Sequence, residues 1–362
     1  MCVKKKHKIP KIVIIGANPN ATGGIATWTK EMLDFENERF VFKYIDASYG
    51  KKGIPKSKFV KYLKDIIRNT RVFISVIFQS IFSRPVLFHS ATTSSPKALK
   101  REIWLAKISR FFKIKYLVHF HCTIDDFLGG TKGEKSLRKL TKYASAFFVL
   151  NRNSLNTMET IGGKKENRQY YLVPNFINDE YVLDTKQIND EVKQAVFIGR
   201  VEAKKGYFET IELARAFPSI KFLIVGPNEG RFSKPSNLSN VVFTGAKNRN
   251  EVFRILDESD LFIFLTHYSE GFSNALLEAM SRGLPCLCSE TDSIEEMIEG
   301  KGGIMVDYED QKAIARGFTT LINDQELRKQ MSLFNLTKVK QNYIKSVVLD
   351  DIFKLYESII NM

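Results

Sequence analysis

Apolar residues in this chain fall into short unbroken runs: KIVIIGA (11–17), RPVLFHS (84–90), KYLVHFH (115–121) and SAFFVLN (145–151). Runs of that length, without polar alternation and closed by Gly or a polar residue, predict strands buried on both faces, as in a parallel sheet. Helical spacing fills the intervals, from near Ile25, over 96–112 and over 133–143. The rhythm restarts with QAVFIGR (194–200), IKFLIVG (220–226), NVVFTG (240–245), DLFIFLT (260–266) and PCLCSE (285–290). Helices are predicted among these over 205–217, 249–258 and 273–282. Strand and helix alternating twice over predict an α/β chain of two doubly wound, Rossmann-like domains. The polar stretch near 175–193, with its Pro-Asn turn, reads as a linker. The expected domains are 1–175 and 176–345, with a C-terminal helix over 346–362 packing back toward the first.

Another helical pattern covers 57–82. Phe59, Leu63, Ile66, Ile67, Phe73, Ile74, Ile77 and Ile81 recur at helical spacing, opposite Lys58, Lys61, Lys64, Arg68 and Arg71. Such a helix can lie on an anionic membrane, or it can turn its apolar face to the domain core, the ordinary arrangement for a surface helix. It does not span a bilayer, since VFISVIFQSIF (72–82) is broken by Gln79 and Ser80 and falls far short of the ~20 residues required.

Composition changes this picture in two places. A length of 362 residues with 44% hydrophobic content is enough for two cores. Charge is lopsided. Residues 1–180 hold 33 Lys and Arg against 14 Asp and Glu, a balance of +19, and residues 181–362 hold 22 against 26, a balance of −4. The basic first half calls for an anionic partner or a well-solvated surface. No aromatic–basic interleaving of an RNA-binding module is present, so nucleic acid is not expected. Four scattered cysteines without C-x-x-C spacing and no secretory signal point to a reducing cytoplasm.

Candidate chemistry sits where strands end. GANPNATGG (16–24) lacks the G-x-G-x-x-G spacing of a dinucleotide loop, yet Gly23 and Gly24 offer bare N–H groups ahead of a helix. In GRVEAKKGYFE (199–209), Arg200 and Lys205 flank a strand-to-helix junction, a fork and a point charge suited to a diphosphate or simply two solvated cations. In HYSEGFSNALLEAMSRGLPCLCSE (267–290), Ser273 or Asn274 can cap a helix whose first N–H groups suit a phosphate. Glu278, one turn on, can accept two hydrogen bonds from a diol such as ribose, with Glu270 upstream in the loop. HFHCTIDD (119–126) has histidines and carboxylates but not H-x-H-x-D-H spacing, so no metal site is expected there.

Taken together, these strings resemble glycosyltransferase family four, the retaining nucleotide-sugar transferases of GT-B fold. SEGFSNALLEAMSRGLPCLCSE is similar to its Glu-x7-Glu signature, GRVEAKKG to its Gly-Arg…Lys-Gly element and VPNFIN (173–178) to its hinge. The resemblance is strong from about 173 to 306 and looser before that. It implies two parallel-sheet domains facing across a cleft. It places Arg200 and Lys205 on the donor diphosphate, Glu278 on the ribose hydroxyls, Glu270 at the transferred sugar, and the stretch Gly271, Phe272, Ser273, Asn274 along the phosphates. Gly23 and Gly24 then close the cleft, and His121 matches the family's active-site histidine better than His119 does. Phe176, where the hinge usually has Gly, and Thr266-His267, where Pro-Ser is usual, depart from the pattern.

The function this resemblance implies is retaining transfer of a hexose or N-acetylhexosamine from a nucleoside diphosphate, UDP foremost, without metal or cofactor. The expected acceptor is a lipid-linked or polysaccharide chain in bacterial capsule, exopolysaccharide or O-antigen synthesis. Such an enzyme would sit peripherally on the anionic inner face of the cell membrane. The competing readings are a nucleotide-sugar epimerase or phosphorylase of the same fold, and a non-catalytic basic membrane- or nucleic-acid-binding protein.

Overall fold

A computed structural model describes residues 9–21, 23–48, 57–163, 169–228, 232 and 237–362, the side chains of Lys58 and Lys61 excepted. The chain divides into two compact units, Met1–Pro174 with Leu349–Met362, and Asn175–Val348.

In the first unit, β1 (Lys11–Gly16), α1 (Gly24–Asp34), β2 (Val41–Asp46) and α2 (Lys58–Phe78) are followed by β3 (Leu87–Thr92), α3 (Pro96–Phe111) and β4 (Lys115–Phe120). Then come α4 (Ile124–Leu128), α5 (Thr131–Leu140), β5 (Ala146–Val149), α6 (Arg152–Gly162) and β6 (Gln169–Leu172). The six strands are parallel in the order β2-β1-β3-β4-β5-β6. Ile12–Ile15, Leu87, Phe88, Leu117 and Val118 are fully buried, as continuous apolar strands covered on both faces must be. Each such side chain withdrawn from water contributes about 1.5–3 kcal/mol.

The second unit repeats the plan with β7 (Gln194–Ile198), α7 (Tyr207–Ala216), β8 (Lys221–Val225), β9 (Val241–Gly245), α8 (Arg249–Asp257) and β10 (Leu261–Phe264). After these come α9 (Asn274–Ser281), β11 (Cys286–Ser289), α10 (Asp292–Ile298), β12 (Gly303–Val306), α11 (Gln311–Asn323) and α12 (Gln325–Asn342). Its order is β12-β11-β10-β7-β8-β9, again all parallel. In each sheet the order reverses once, beside β1 and β3 in the first and beside β7 and β10 in the second. Ligands of doubly wound sheets bind beyond the strand C-termini at such a switch point.

Two expectations need correction. The stretch 175–193 is not a free linker. Ile177 is buried, its N–H donates to the Tyr343 carbonyl at 2.9 Å, and its own carbonyl accepts from Lys345 N–H at 2.8 Å. Arg328, almost wholly buried, donates to the carbonyls of Leu321, Ile322, Asn189 and Asp190 at 2.7–2.8 Å, which pins the far end of the stretch. The second correction concerns α2. Of its predicted apolar face only Phe73 packs, partly buried, against the core; Phe59, Leu63, Ile66, Ile67, Ile74, Ile77 and Ile81 are all exposed. No described helix is long and apolar enough to cross a membrane.

The last helix, α13 (Lys345–Asn361), begins in the second unit and from Leu349 belongs to the first. There Leu349, Ile352, Phe353, Tyr356 and Ile359 are buried, and Arg39 pairs with Asp350 at 2.8 Å and Glu357 at 2.9 Å.

Candidate active site

The second unit builds its site on the loops after β7 and β10, the strands flanking its switch point. Arg200 follows β7 and pairs with Glu202 at 2.9 Å, its side chain largely in solvent. Lys205 closes a short 3-10 turn, Ala203–Lys205, and Gly206 ends it in the left-handed region at φ 84°. A Cβ on Gly206 would come within 2.3 Å of the Leu265 carbonyl oxygen, so glycine is needed for this loop to lie against the end of β10. The close approach is held by His267 N–H donating to the Lys204 carbonyl at 2.9 Å.

That contact brings together residues far apart in sequence. The Lys205 ammonium donates to the Glu270 carboxylate, and both side chains are mostly withdrawn from solvent. The Tyr268 ring lies under the same cations, 5.0 Å from Lys205 Nζ and 5.8 Å from Lys204 Nζ. The Lys205 cation is thus held between a carboxylate and an aromatic face.

Downstream, Ser273 is the cap of α9: its hydroxyl accepts from Leu276 N–H at 3.2 Å. Asn274 is the first helical residue, exposed, and its side-chain oxygen accepts from Asn175 at 3.2 Å. Phe272 packs its ring edge-on against Tyr343 at 5.4 Å, fixing the loop so that backbone N–H groups from Gly271 onward lead into the helix. On the next turn, burial pushes the Glu278 carboxyl up to about 7, with the charge of Arg249 pulling it the other way. Arg249 in turn lies over the Tyr181 ring at 4.7 Å.

The sequence reading missed one pair here. His267 donates Nε2–H to Glu209 Oε1 at 2.9 Å and stacks on Tyr308 at 4.1 Å. Glu209 is buried, and its second oxygen has no partner among the described residues. The only local signal was a glutamate among the apolar positions of α7.

In the first unit, Gly23 caps α1 at φ 123°, a conformation that favours glycine, with open space where a Cβ would stand. Thr27 N–H donates to its carbonyl at 3.0 Å. On β3 and β4, Tyr356 Oη lies 2.5 Å from His89 Nδ1, and His89 Nε2 lies 3.2 Å from His119 Nδ1. His119 stacks on His121 at 4.0 Å between ring centres, and Trp28 packs against all three histidines at 4.9–5.1 Å. Burial, then the neighbouring His121, holds His89 and His119 well below the ordinary imidazole range, so both are neutral at pH 7. Of the three, His121 alone is part-exposed, with its Nε2 buried, and its backbone N–H donates to the Thr92 carbonyl at 2.9 Å. Asp125 is taken by Thr157 at 2.7 Å and does not converge on the histidines. A polar residue inside an apolar run, as in RPVLFHS, was the one hint of His89. Nothing local pointed to Tyr356.

Residues 182–334 match the sequence profile described as glycosyl transferases group 1. The chain is 23% identical over 199 residues to the capsular polysaccharide biosynthesis glycosyltransferase CapM of Staphylococcus aureus, covering 50% of this chain and 52% of that one. It is 30% identical over 138 residues to the putative colanic acid biosynthesis glycosyltransferase WcaL of Salmonella typhimurium, 34% of each. These matches span about half or less of either relative's length. In structure, Anabaena Alr3699/HepE, solved in complex with UDP, superposes with a TM-score of 0.73 at 14% identity, over 96% of this chain and 100% of that one. Sucrose-phosphate synthase of Thermosynechococcus elongatus gives 0.75 at 14% identity, over 97% and 99%. The fold is therefore the two-domain α/β arrangement of the GT-B glycosyltransferases.

Proposed function

Residues 182–334 belong to the glycosyl transferases group 1 family, and from that premise we propose that this chain transfers a hexose or N-acetylhexosamine from a UDP-sugar with retention of anomeric configuration. The observation that carries the reading is the grouping at one switch point of Lys205 paired to Glu270, the capped start of α9, and Glu278 one turn along. Lys205 and Arg200 take the diphosphate, the N–H groups from Gly271 to Asn274 share its charge, and Glu278 accepts from the ribose hydroxyls. Glu270 then faces the sugar.

In the transfer, the acceptor hydroxyl forms a bond to the anomeric carbon on the face from which UDP departs. The carbon–oxygen bond to the diphosphate breaks, and the hydroxyl proton passes to the leaving phosphate. Charge building on UDP is met by Arg200, Lys205 and the helix start, so no metal is required for that step. We propose His121, held by its stack and its backbone bond, as a further catalytic residue.

For the acceptor we propose a lipid-linked saccharide in bacterial surface-polysaccharide assembly, met at an anionic membrane. Relatives named for capsular and colanic acid synthesis support this, as does a 24% identical match over 199 residues to the phosphatidyl-myo-inositol mannosyltransferase of Mycobacterium leprae. The +19 balance of residues 1–180 supports the membrane. The reading is tested by melting the protein with UDP, GDP, ADP and NAD in turn. A rise with UDP that exceeds the others is expected; no rise with any nucleotide overturns it.

A further inference from the structure

Helix α2 is mounted inside out for a surface helix. Val72 and Val76 are its fully buried side chains, and Asp65 pairs with Arg68 at 2.8 Å, both largely withdrawn from solvent. On the other side Phe59, Ile67, Ile74, Phe78 and Phe82, the last in the π-helical turn that continues the helix, are between 55% and 71% exposed. Phe78 and Phe82 rest on each other at 4.5 Å. At 3.6 residues per turn, positions 59, 63, 67, 74, 78 and 81 fall on one half of the helix, opposite 72 and 76. A surface helix normally turns its apolar stripe to the core. A row of exposed apolar side chains along a whole helix, rimmed by polar residues, marks an interaction surface.

We infer that this face of α2 is a bilayer-insertion surface, through which the first domain docks its apolar side chains into the headgroup–acyl boundary of an anionic membrane. The occupant follows from charge and length. The helix carries Lys58, Lys61, Lys64, Arg68 and Arg71 against the single acid Asp65. The segments 1–8 and 49–56, outside the described residues, hold four and three lysines and no apolar run. A 21-residue helix is about 30 Å long, and its exposed apolar residues run from Phe59 to Phe78, which suits a planar surface rather than a pocket. Basic residues beside an apolar face are the composition of helices that lie in the interface plane. The inference deepens the membrane part of the proposed function and takes only the lipid surface from it.

The test is co-sedimentation, without any nucleotide, on phosphatidylcholine vesicles and on equimolar phosphatidylcholine–phosphatidylglycerol vesicles. The parent should bind the mixed vesicles, more weakly but still measurably at high salt, because burial of apolar side chains is not screened. The variant Ile67→Gln/Ile74→Gln/Phe78→Gln should lose at least tenfold in partitioning at an unchanged melting temperature. Should that variant melt early, Phe59→Gln/Phe82→Gln at the two ends serves in its place with the same expected loss. Equal binding by parent and folded variant, or no binding by the parent, overturns the inference. So does a parent that is a dimer without lipid and a variant that is a monomer with unchanged vesicle binding, which would make the occupant a second copy. Vesicle binding through this face by a chain that handles no nucleotide sugar would leave the inference standing and remove the enzymatic reading alone.

Discussion

Lys205 and Glu270 are 65 residues apart in sequence and share one ion pair, made because the loops after β7 and β10 leave adjacent strands. A diphosphate arriving at Lys205 must share the ammonium with Glu270 or displace it. Lys205→Met should therefore weaken UDP binding by about 1–3 kcal/mol, the range for a charged hydrogen bond. Glu270→Gln removes the competitor, so UDP affinity should be kept or improved while turnover of the UDP-sugar falls at least tenfold. Calorimetry and a turnover assay on both variants check this. Equal losses of UDP affinity in the two would mean that Glu270 holds the nucleotide and not the sugar.

Glu278 sets a pH dependence in the second domain. Its carboxyl is raised from the ordinary 4.5 to about 7, so the folded state holds a proton that the unfolded chain has already released. The stability this contributes is present below 4.5 and lost as pH rises to about 7, a loss on the order of 1–3 kcal/mol. Glu278→Gln should melt above the parent at pH 8 and with it at pH 4. Uridine, which has no titrating phosphate, should bind the parent more tightly as pH rises from 6 to 8, because the ionised carboxylate accepts both ribose hydroxyls. The variant should bind weakly at every pH. A parent whose uridine affinity is flat across this range would contradict the assignment.

The first domain should respond to acid in the opposite sense. His89 and His119 are held neutral, well below their ordinary 6.5. Their stability is complete above pH 6.5 and is lost as pH falls below it, by about 1.4 kcal/mol per pH unit for each histidine. Both tryptophans, Trp28 and Trp104, lie in this domain. Denaturant unfolding followed by tryptophan fluorescence should shift to lower midpoint between pH 6.5 and 5.5. An unchanged midpoint would show that the histidines charge without cost.

Tyr356→Phe tests how α13 supports this cluster. The hydroxyl sits 2.5 Å from His89 Nδ1 with both groups fully buried, so its removal strands a ring nitrogen and should destabilise the first domain by about 1–3 kcal/mol. Loss of residues 349–362 altogether should leave that domain unable to fold, because five large side chains leave its core together. A truncated chain with native tryptophan fluorescence would contradict this placement of the helix.

How much of this was legible beforehand follows from where each element lies. Central strands such as β1, β4 and β10 announce themselves as unbroken apolar runs because both their faces are covered. The strands that the pattern missed, β2, β6 and β12, are all sheet edges. β2 alternates exposed and part-buried positions, and β6 is part-buried throughout. The loops proposed for the donor were legible because Gly-Arg…Lys-Gly and Glu-x7-Glu are local strings. The ion pair between them was not, since it depends on β7 lying next to β10. Periodicity likewise found the two faces of α2 but could not say which one the core would take. Arg68, read as a free cation on the polar side, is committed to Asp65. The proposed membrane contact accordingly rests on the exposed aromatic and aliphatic residues of α2 more than on its lysines.

The proposed sugar transfer with retention by Glu270 and its neighbours is read by proton NMR of the anomeric signals. The purified chain would be incubated with a series of α-linked UDP-sugars, and with their GDP and ADP counterparts, with water or a lipid-linked saccharide as acceptor. One UDP-sugar should be consumed with EDTA present, the first product signal should be the α-anomer, and Glu270→Gln should leave the donor intact. A β-anomer appearing first, or no nucleotide sugar consumed by a chain that still melts cooperatively, would contradict the proposed transfer.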